Sequence, residues 1–199
     1  IFQEVIMSLG YTVNKDKNGI LLAYMAEQIP NINLRKLIKL IYLIDERFTI
    51  ERGFPLTWFD YFAWQKGPVA PEVYDIKNGL FSEYVTCVRD ENGKCIINSV
   101  IPTGDSFQMD LFSQYEINLI DEVISFYGNK TADELTDITH LDNSLWSKAV
   151  KENHMDFSNN GKSKVKILLN KLNEGDVDKE EIYEDALEYM QFCNAASVC

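Results

Sequence analysis

The sequence predicts an α+β fold, predominantly helical, with six to eight helices around a central buried helix plus one small β-hairpin. Three observations carry this. In "NLRKLIKLIYLIDERF", Leu34, Leu37, Ile38, Ile41, Ile44 and Phe48 recur at helical spacing, and Leu40 and Leu43 add a second apolar strip. Two capping boxes, Ser113 with Glu116 and Thr131 with Glu134, open later helices. The stretch around "RDENGKC" reads as a hairpin turning at Asn92–Gly93, the one strong β signal in the chain.

Taken in order, residues 1–16 are mixed and give no clear element. Gly19 to Ile29 predicts a helix stopped by Pro30. Asn33 suits the N-cap of the central helix, and Gly53 and Pro55 end it. The aromatics Trp58, Phe59, Tyr61, Phe62 and Trp64 are too dense for strict alternation, which predicts a short helix or an irregular packed segment. "QKGPVA" then predicts a stiff connection, because Gly67 before Pro68 is held to extended or glycine-only backbone. The Trp64 ring is expected to pack on the Leu37–Ile44 helix face, with its indole N–H seeking a partner. Pro71, Glu72 and Gly79 mark the start and stop of a two-turn helix. The hairpin strands follow at 84–89 and 95–101. The Ser113 helix ends at Gly128. "NSLWSKAVKEN" starts a short helix, "SNNGKS" reads as a linker, and "SKVKILLNKL" and "DKEEIYEDALEYMQF" predict two more helices.

The chain has 199 residues and 46% hydrophobic content, enough for one domain with a real core. It carries 31 acidic and 19 basic residues, a net charge of −12. Such a chain is a poor nonspecific ligand for nucleic acid, and no helix pair shows the turn and basic recognition helix of a DNA reader. The acidity either attracts a basic partner or keeps the chain in solution. No apolar run approaches the ~20 residues of a membrane span, and no basic and apolar leader opens the chain. A cytoplasmic location without membrane contact is therefore expected.

Four cysteines (Cys87, Cys95, Cys193, Cys199) and two histidines include no Cys-x-x-Cys pair, so no metal site is expected. With a two-residue turn, Cys87 would pair across from Asn98 and Cys95 from Asp90. The two sulfurs would then point to opposite faces, which disfavours a disulfide.

No phosphate loop, dinucleotide fingerprint, nucleophile elbow or His-Glu-x-x-His motif occurs, and no cofactor or catalytic residue is expected. His140 lies near Asp137 and Asp142 in "DITHLD". It reads as a helix cap, a half-buried polar group, a partner contact or a general base. The neighbours Asp45 and Glu46 read as a solvated face. Arg35, Lys36 and Lys39 could line an exposed basic strip of the central helix.

Three blocks carry a resemblance. "LRKLIKLIYLIDERFTIERGFPLTWFDYFAWQKGPVAPEVY" contains Leu37, Lys39 and Tyr42 in the helix, then Trp64, Gly67, Pro68, Val69, Pro71 and Tyr74. "ELTDITHLDNSLWSKA" contains Thr139, His140 and Trp146. The pattern resembles the Panacea domain of SocA-like and phage-associated GepA-like antitoxins. On that basis the chain divides into an N-terminal segment of residues 1–16, a Panacea-like domain of 17–157 and an acidic helical extension of 158–199. The extension either carries partner specificity or closes the fold. From Lys171 to Cys199 it holds two lysines and eight acidic residues.

The resemblance implies a non-enzymatic bacterial or phage antitoxin that binds a cognate protein toxin encoded beside it. Toxins in such systems are diverse and include translation inhibitors and small alarmone-synthetase-like enzymes, and a basic toxin would suit this chain's charge. An adaptor role toward a ClpXP-type protease is the alternative. The motif residues are expected to be mainly structural, with partner contact as their other role.

Overall fold

The computed structural model describes residues 7–8, 11–101 and 109–196. The expected 1–16 segment lies partly outside the described residues, as does Cys199. A two-residue ladder joins β1 (Met7–Ser8) to β2 (Tyr11–Thr12). The helices are α1 (Lys15–Gln28), α2 (Leu34–Arg52), α3 (Pro71–Tyr74), α4 (Gln114–Tyr127), α5 (Ala132–Thr139), α6 (Leu145–Glu152) and α7 (Val177–Ala196). Short 3-10 turns at Asp75–Asn78, Met109–Leu111 and Leu169–Asn173 join them. The fold is α+β and predominantly helical, with seven α-helices among the described residues.

Helix α2 is the axis of the core. The Asn33 side chain accepts from the Lys36 N–H at its start, and Gly53 closes it at φ 84°, a left-handed position that favours glycine. Leu37, Leu40, Ile41 and Ile44 are fully buried, each contributing on the order of 1.5–3 kcal/mol of apolar transfer. Helices α4 and α5, the 3-10 turn at Leu169–Asn173 and strand β4 (Gly67–Val69) surround it. Both capping boxes form as the sequence predicts.

The aromatic segment is not irregular. Strand β3 (Tyr61–Trp64) pairs antiparallel with β4, Trp64 opposite Gly67, across a two-residue turn of Gln65–Lys66. Tyr61 and Ala63 point inward while Phe62 and Trp64 point outward, so the period of two is present. Aromatic residues on the outward positions hide it from a hydrophobicity pattern. Pro68, which has no N–H to give, sits on the edge strand β4.

Strand β7 (Lys166–Ile167) completes this sheet on the other side of β3, in the order β4-β3-β7. The "SKVKILLNKL" stretch is therefore a strand and a 3-10 turn rather than a helix. Lys164, Lys166 and Leu168 are exposed while Ile167 and Leu169 are buried, a two-residue alternation. Further bonds lace the approach to β7 onto β3: Ala63 N–H to Val165 O, 2.9 Å, and Gln65 N–H to Gly161 O, 2.7 Å. The Ser163 hydroxyl also donates to Ala63 O, at 2.6 Å. Asn173, fully buried, donates to the Gly53 carbonyl at the end of α2. Helix α7 sets Tyr183 against Trp58, ring centroids 5.4 Å apart.

The second hairpin, β5 (Val85–Arg89) and β6 (Cys95–Ser99), forms with a different register from the one expected. Arg89 pairs with Cys95 and Cys87 with Ile97, so the turn spans Asp90–Lys94. The Asp90 carboxylate accepts from the N–H groups of Asn92 and Lys94 and holds this longer turn. A one-residue register shift moves every side chain to the other face. Cys87 and Cys95 thus share a face as diagonal neighbours with Cα atoms 5.4 Å apart, and they are joined as a disulfide, against the sequence expectation. The hairpin is tied to the α1–α2 turn by Ile97 N–H to Ile32 O, 2.8 Å.

Candidate functional site

The motif residues from the three sequence blocks converge in space. Helix α2 carries Lys39 at its middle, where the side chain is 1% exposed. This corrects the exposed basic strip: Lys39 faces the sheet, not solvent. Its ammonium donates to the carbonyl of Pro68, at 3.0 Å. Gly67, at φ 102°, passes directly over this group. A Cβ on Gly67 would collide with Lys39 Nζ and stand 2.8 Å from Thr139 Oγ1 and 3.1 Å from His140 Nε2. Glycine is thus required twice over, by its backbone and by the space. Burial, and then the nearby Arg35 guanidinium, push the Lys39 ammonium down to about 7.

His140 is the C-cap residue of α5. Its ring lies flat on Trp146, centroids 3.6 Å apart and planes within 8°, and Phe157 also stacks on Trp146, centroids 6.2 Å apart. Burial first, and the Lys39 charge second, lower its pKa to about 4, so the imidazole is neutral at physiological pH. Nε2 is buried without a hydrogen-bond partner among the described residues. Asp142 instead pairs with Lys151. The Trp146 indole donates to the Trp64 carbonyl at 2.8 Å, which locks α6 onto the β3–β4 turn. Thr139, 2% exposed, turns its hydroxyl back to the Thr136 carbonyl.

Leu37 and Tyr42 lie in the core, and the Tyr42 ring meets Tyr61 edge-on at 5.2 Å. Its hydroxyl donates to Glu46. Beside them Asp45 is fully buried, correcting the solvated face predicted for it. It accepts from the Thr57 N–H and hydroxyl and from the Tyr61 hydroxyl. Sequence reasoning missed this cluster because both partners come from beyond the helix. Burial raises the Asp45 pKa to about 6 against those hydrogen bonds.

Trp64 departs from its expected place. Its ring faces outward, edge-on to Tyr74 at 5.0 Å, with the Lys162 ammonium over both rings. Pro71 opens α3 at its first turn and Val69 is buried beside the site. Together Trp64, Val69 and Tyr74 line one wall of a groove of about 1120 Å³, with Lys39 also reaching it.

The groove is strongly cationic. Arg35, Lys36, Lys39, Lys66, Lys94, Lys130 and Lys162 line it against one acid, Asp133, which pairs with Arg35 at 2.6 Å. That leaves twelve basic and thirty acidic residues for the rest of the chain, a formal net of −18 around a groove of formal charge +6, falling to +5 as Lys39 deprotonates above about pH 7. Lys66, Lys94, Lys130 and Lys162 are scattered over four loops, so no local motif announced them. No cluster of three or more metal-ligating side chains exists among the described residues, and no described helix is long and apolar enough to cross a membrane.

The family described as "Antitoxin SocA-like, Panacea domain" matches residues 37–147, more than half of the chain. The chain belongs to that family. No curated protein and no solved structure matches it. The matched range opens at Leu37 in α2 and closes at Ser147, one residue after Trp146. The matched range contains Lys39, Gly67 and His140, the residues of the buried knot. Strand β7 and helix α7 lie beyond the matched range and pack onto the same body.

Proposed function

We propose that this protein is an antitoxin that neutralises a cognate protein toxin by direct binding. The observation that carries the reading is the family match over residues 37–147. The chemistry of the site agrees with it. The one histidine of the motif is neutral, stacked and turned inward, an arrangement suited to holding a surface in place rather than to moving protons. The buried knot fixes the β3–β4 turn, α5 and α6 relative to α2, and so presents a rigid wall at the groove. Rigid aromatic and cationic walls bind a partner without a large ordering cost.

Coexpression with the product of the adjacent reading frame tests this. The expected result is restored growth of cells carrying a toxic neighbour, and copurification of the two chains. A demonstrably toxic neighbour that is neither neutralised nor copurified would refute it.

A further inference from the structure

We infer that the cationic groove is the docking site for an extended, acidic peptide segment, supplied by the toxin. The source of the segment rests on the antitoxin reading; the chemistry of the groove does not.

Three observations lead to this class of ligand. First, the charges in the groove are unspent. Eight ion pairs form among the described residues, and of the groove's cations only Arg35 takes part in one. Lys36 and Lys39 are capped by the backbone carbonyls of Gly128 and Pro68, which neutralise no charge. Lys66, Lys94, Lys130 and Lys162 form no ion pair among the described residues, and the Glu134 carboxylate acts on Lys36 and Lys130 without a direct ion pair. Six of the groove's seven cations thus form no ion pair among the described residues, against five of the twelve cations outside it.

Second, the shape suits a chain segment. A volume of about 1120 Å³ exceeds the roughly 300–1,000 Å³ typical of small-molecule sites. The cations come from α2, the β3–β4 turn, the β5–β6 turn, the α4–α5 connection and the approach to β7, so five separate elements bring charge to the groove walls. Lysines predominate, and a lysine is a point charge that accepts a carboxylate from many directions. Phosphate-reading sites favour the bidentate arginine fork, and the one groove arginine is already engaged.

Third, the surroundings select for size. A net charge of −18 outside the groove repels a long polyanion that would track beyond it, which disfavours nucleic acid. A short acidic segment on a partner of otherwise basic surface meets attraction at both levels.

The test uses the full chain and a fluorescent peptide of roughly twelve residues alternating Glu with Ser, which places its carboxylates on one face when extended. A Gln-for-Glu peptide, an oligonucleotide and inorganic pyrophosphate are run beside it by anisotropy and competition. The acidic peptide is expected to bind, to weaken with salt, and to lose at least about tenfold in affinity to Lys66→Glu/Lys94→Glu/Lys162→Glu. All three lysines are exposed, so the fold should survive. The variant Lys148→Glu/Lys151→Glu/Lys164→Glu, with the same charge change outside the groove, should retain binding. Equal loss in both variants, no binding to the wild type, or tighter capture of the oligonucleotide or pyrophosphate would each overturn the inference. Copurification separates it from the antitoxin reading. Undiminished toxin capture by the groove variant refutes the groove and leaves the antitoxin; peptide binding without any toxin capture does the reverse.

Discussion

Lys39→Met tests the central piece of the site. The ammonium is 1% exposed and its pKa falls from 10.5 to about 7. At about 1.4 kcal/mol per pH unit, keeping it charged costs the folded state roughly 5 kcal/mol below pH 7. The sign follows from proton counting. Between the two pKa values the unfolded chain binds more protons, so the wild type gains stability as pH rises from about 7 toward 10.5. Methionine has similar length and no charge, and it forfeits the bond to Pro68 O, about 1–2 kcal/mol. The variant is therefore expected to be more stable than wild type by about 3 kcal/mol at pH 6, and the advantage should vanish or reverse by pH 10. Urea unfolding of both proteins across this range measures it. A stability difference that does not change with pH would refute the reasoning, as would a variant less stable than wild type at pH 6.

Other expectations follow from the same geometry. Gly67→Ala must hold φ 102° and displace Lys39, and should cost about 2–3 kcal/mol, a fall of roughly 5–10 °C in Tm by scanning calorimetry. Asp45 ionises near 6 in the fold against 3.8 ordinarily, so its contribution is full below pH 3.8 and lost as pH rises through 6. Asp45→Asn should flatten the stability profile between pH 4 and 7 by about 3 kcal/mol; an unchanged slope would contradict the burial argument. Thiol titration of the unreduced, denatured chain should find two fewer thiols than after reduction, and Cys95→Ser should lose about 2 kcal/mol. Truncation at residue 175 should lower Tm and expose Trp58, which the Tyr183 ring covers, as a shift in tryptophan emission.

Much of the scaffold was legible because it rests on local rules. Helix α2 announced itself by spacing, and Ser113, Thr131, Pro71 and Gly79 marked element ends through bonds that span a few residues. What escaped depended on distant partners. Trp64 and Phe62 disguised β3 because their outward positions are covered by Tyr74, in the next helix, and by Lys162 and Lys166, about a hundred positions on. The Cys87–Cys95 bond turned on whether Asp90 would hold a five-residue turn, a choice that a motif reading of Asn92–Gly93 cannot make. Lys39 read as surface because lysine nearly always is; the glycine and the carbonyl that let it enter the core stand 28 and 29 positions later. The groove was invisible for the same reason, its cations being single residues on separate loops.

The lacing of residues 161–167 onto β3 has a consequence for the order in which the molecule is made. The Ser163–Ala63 bond spans 100 residues, and Asn160, Gly161 and Lys162 form part of the groove wall. Contacts of such separation form late, because the intervening chain must be closed into a loop first. A ribosome must therefore release the chain past β7 before the groove has both its sides. A chain that ended before Asn160 would lack that part of the groove wall.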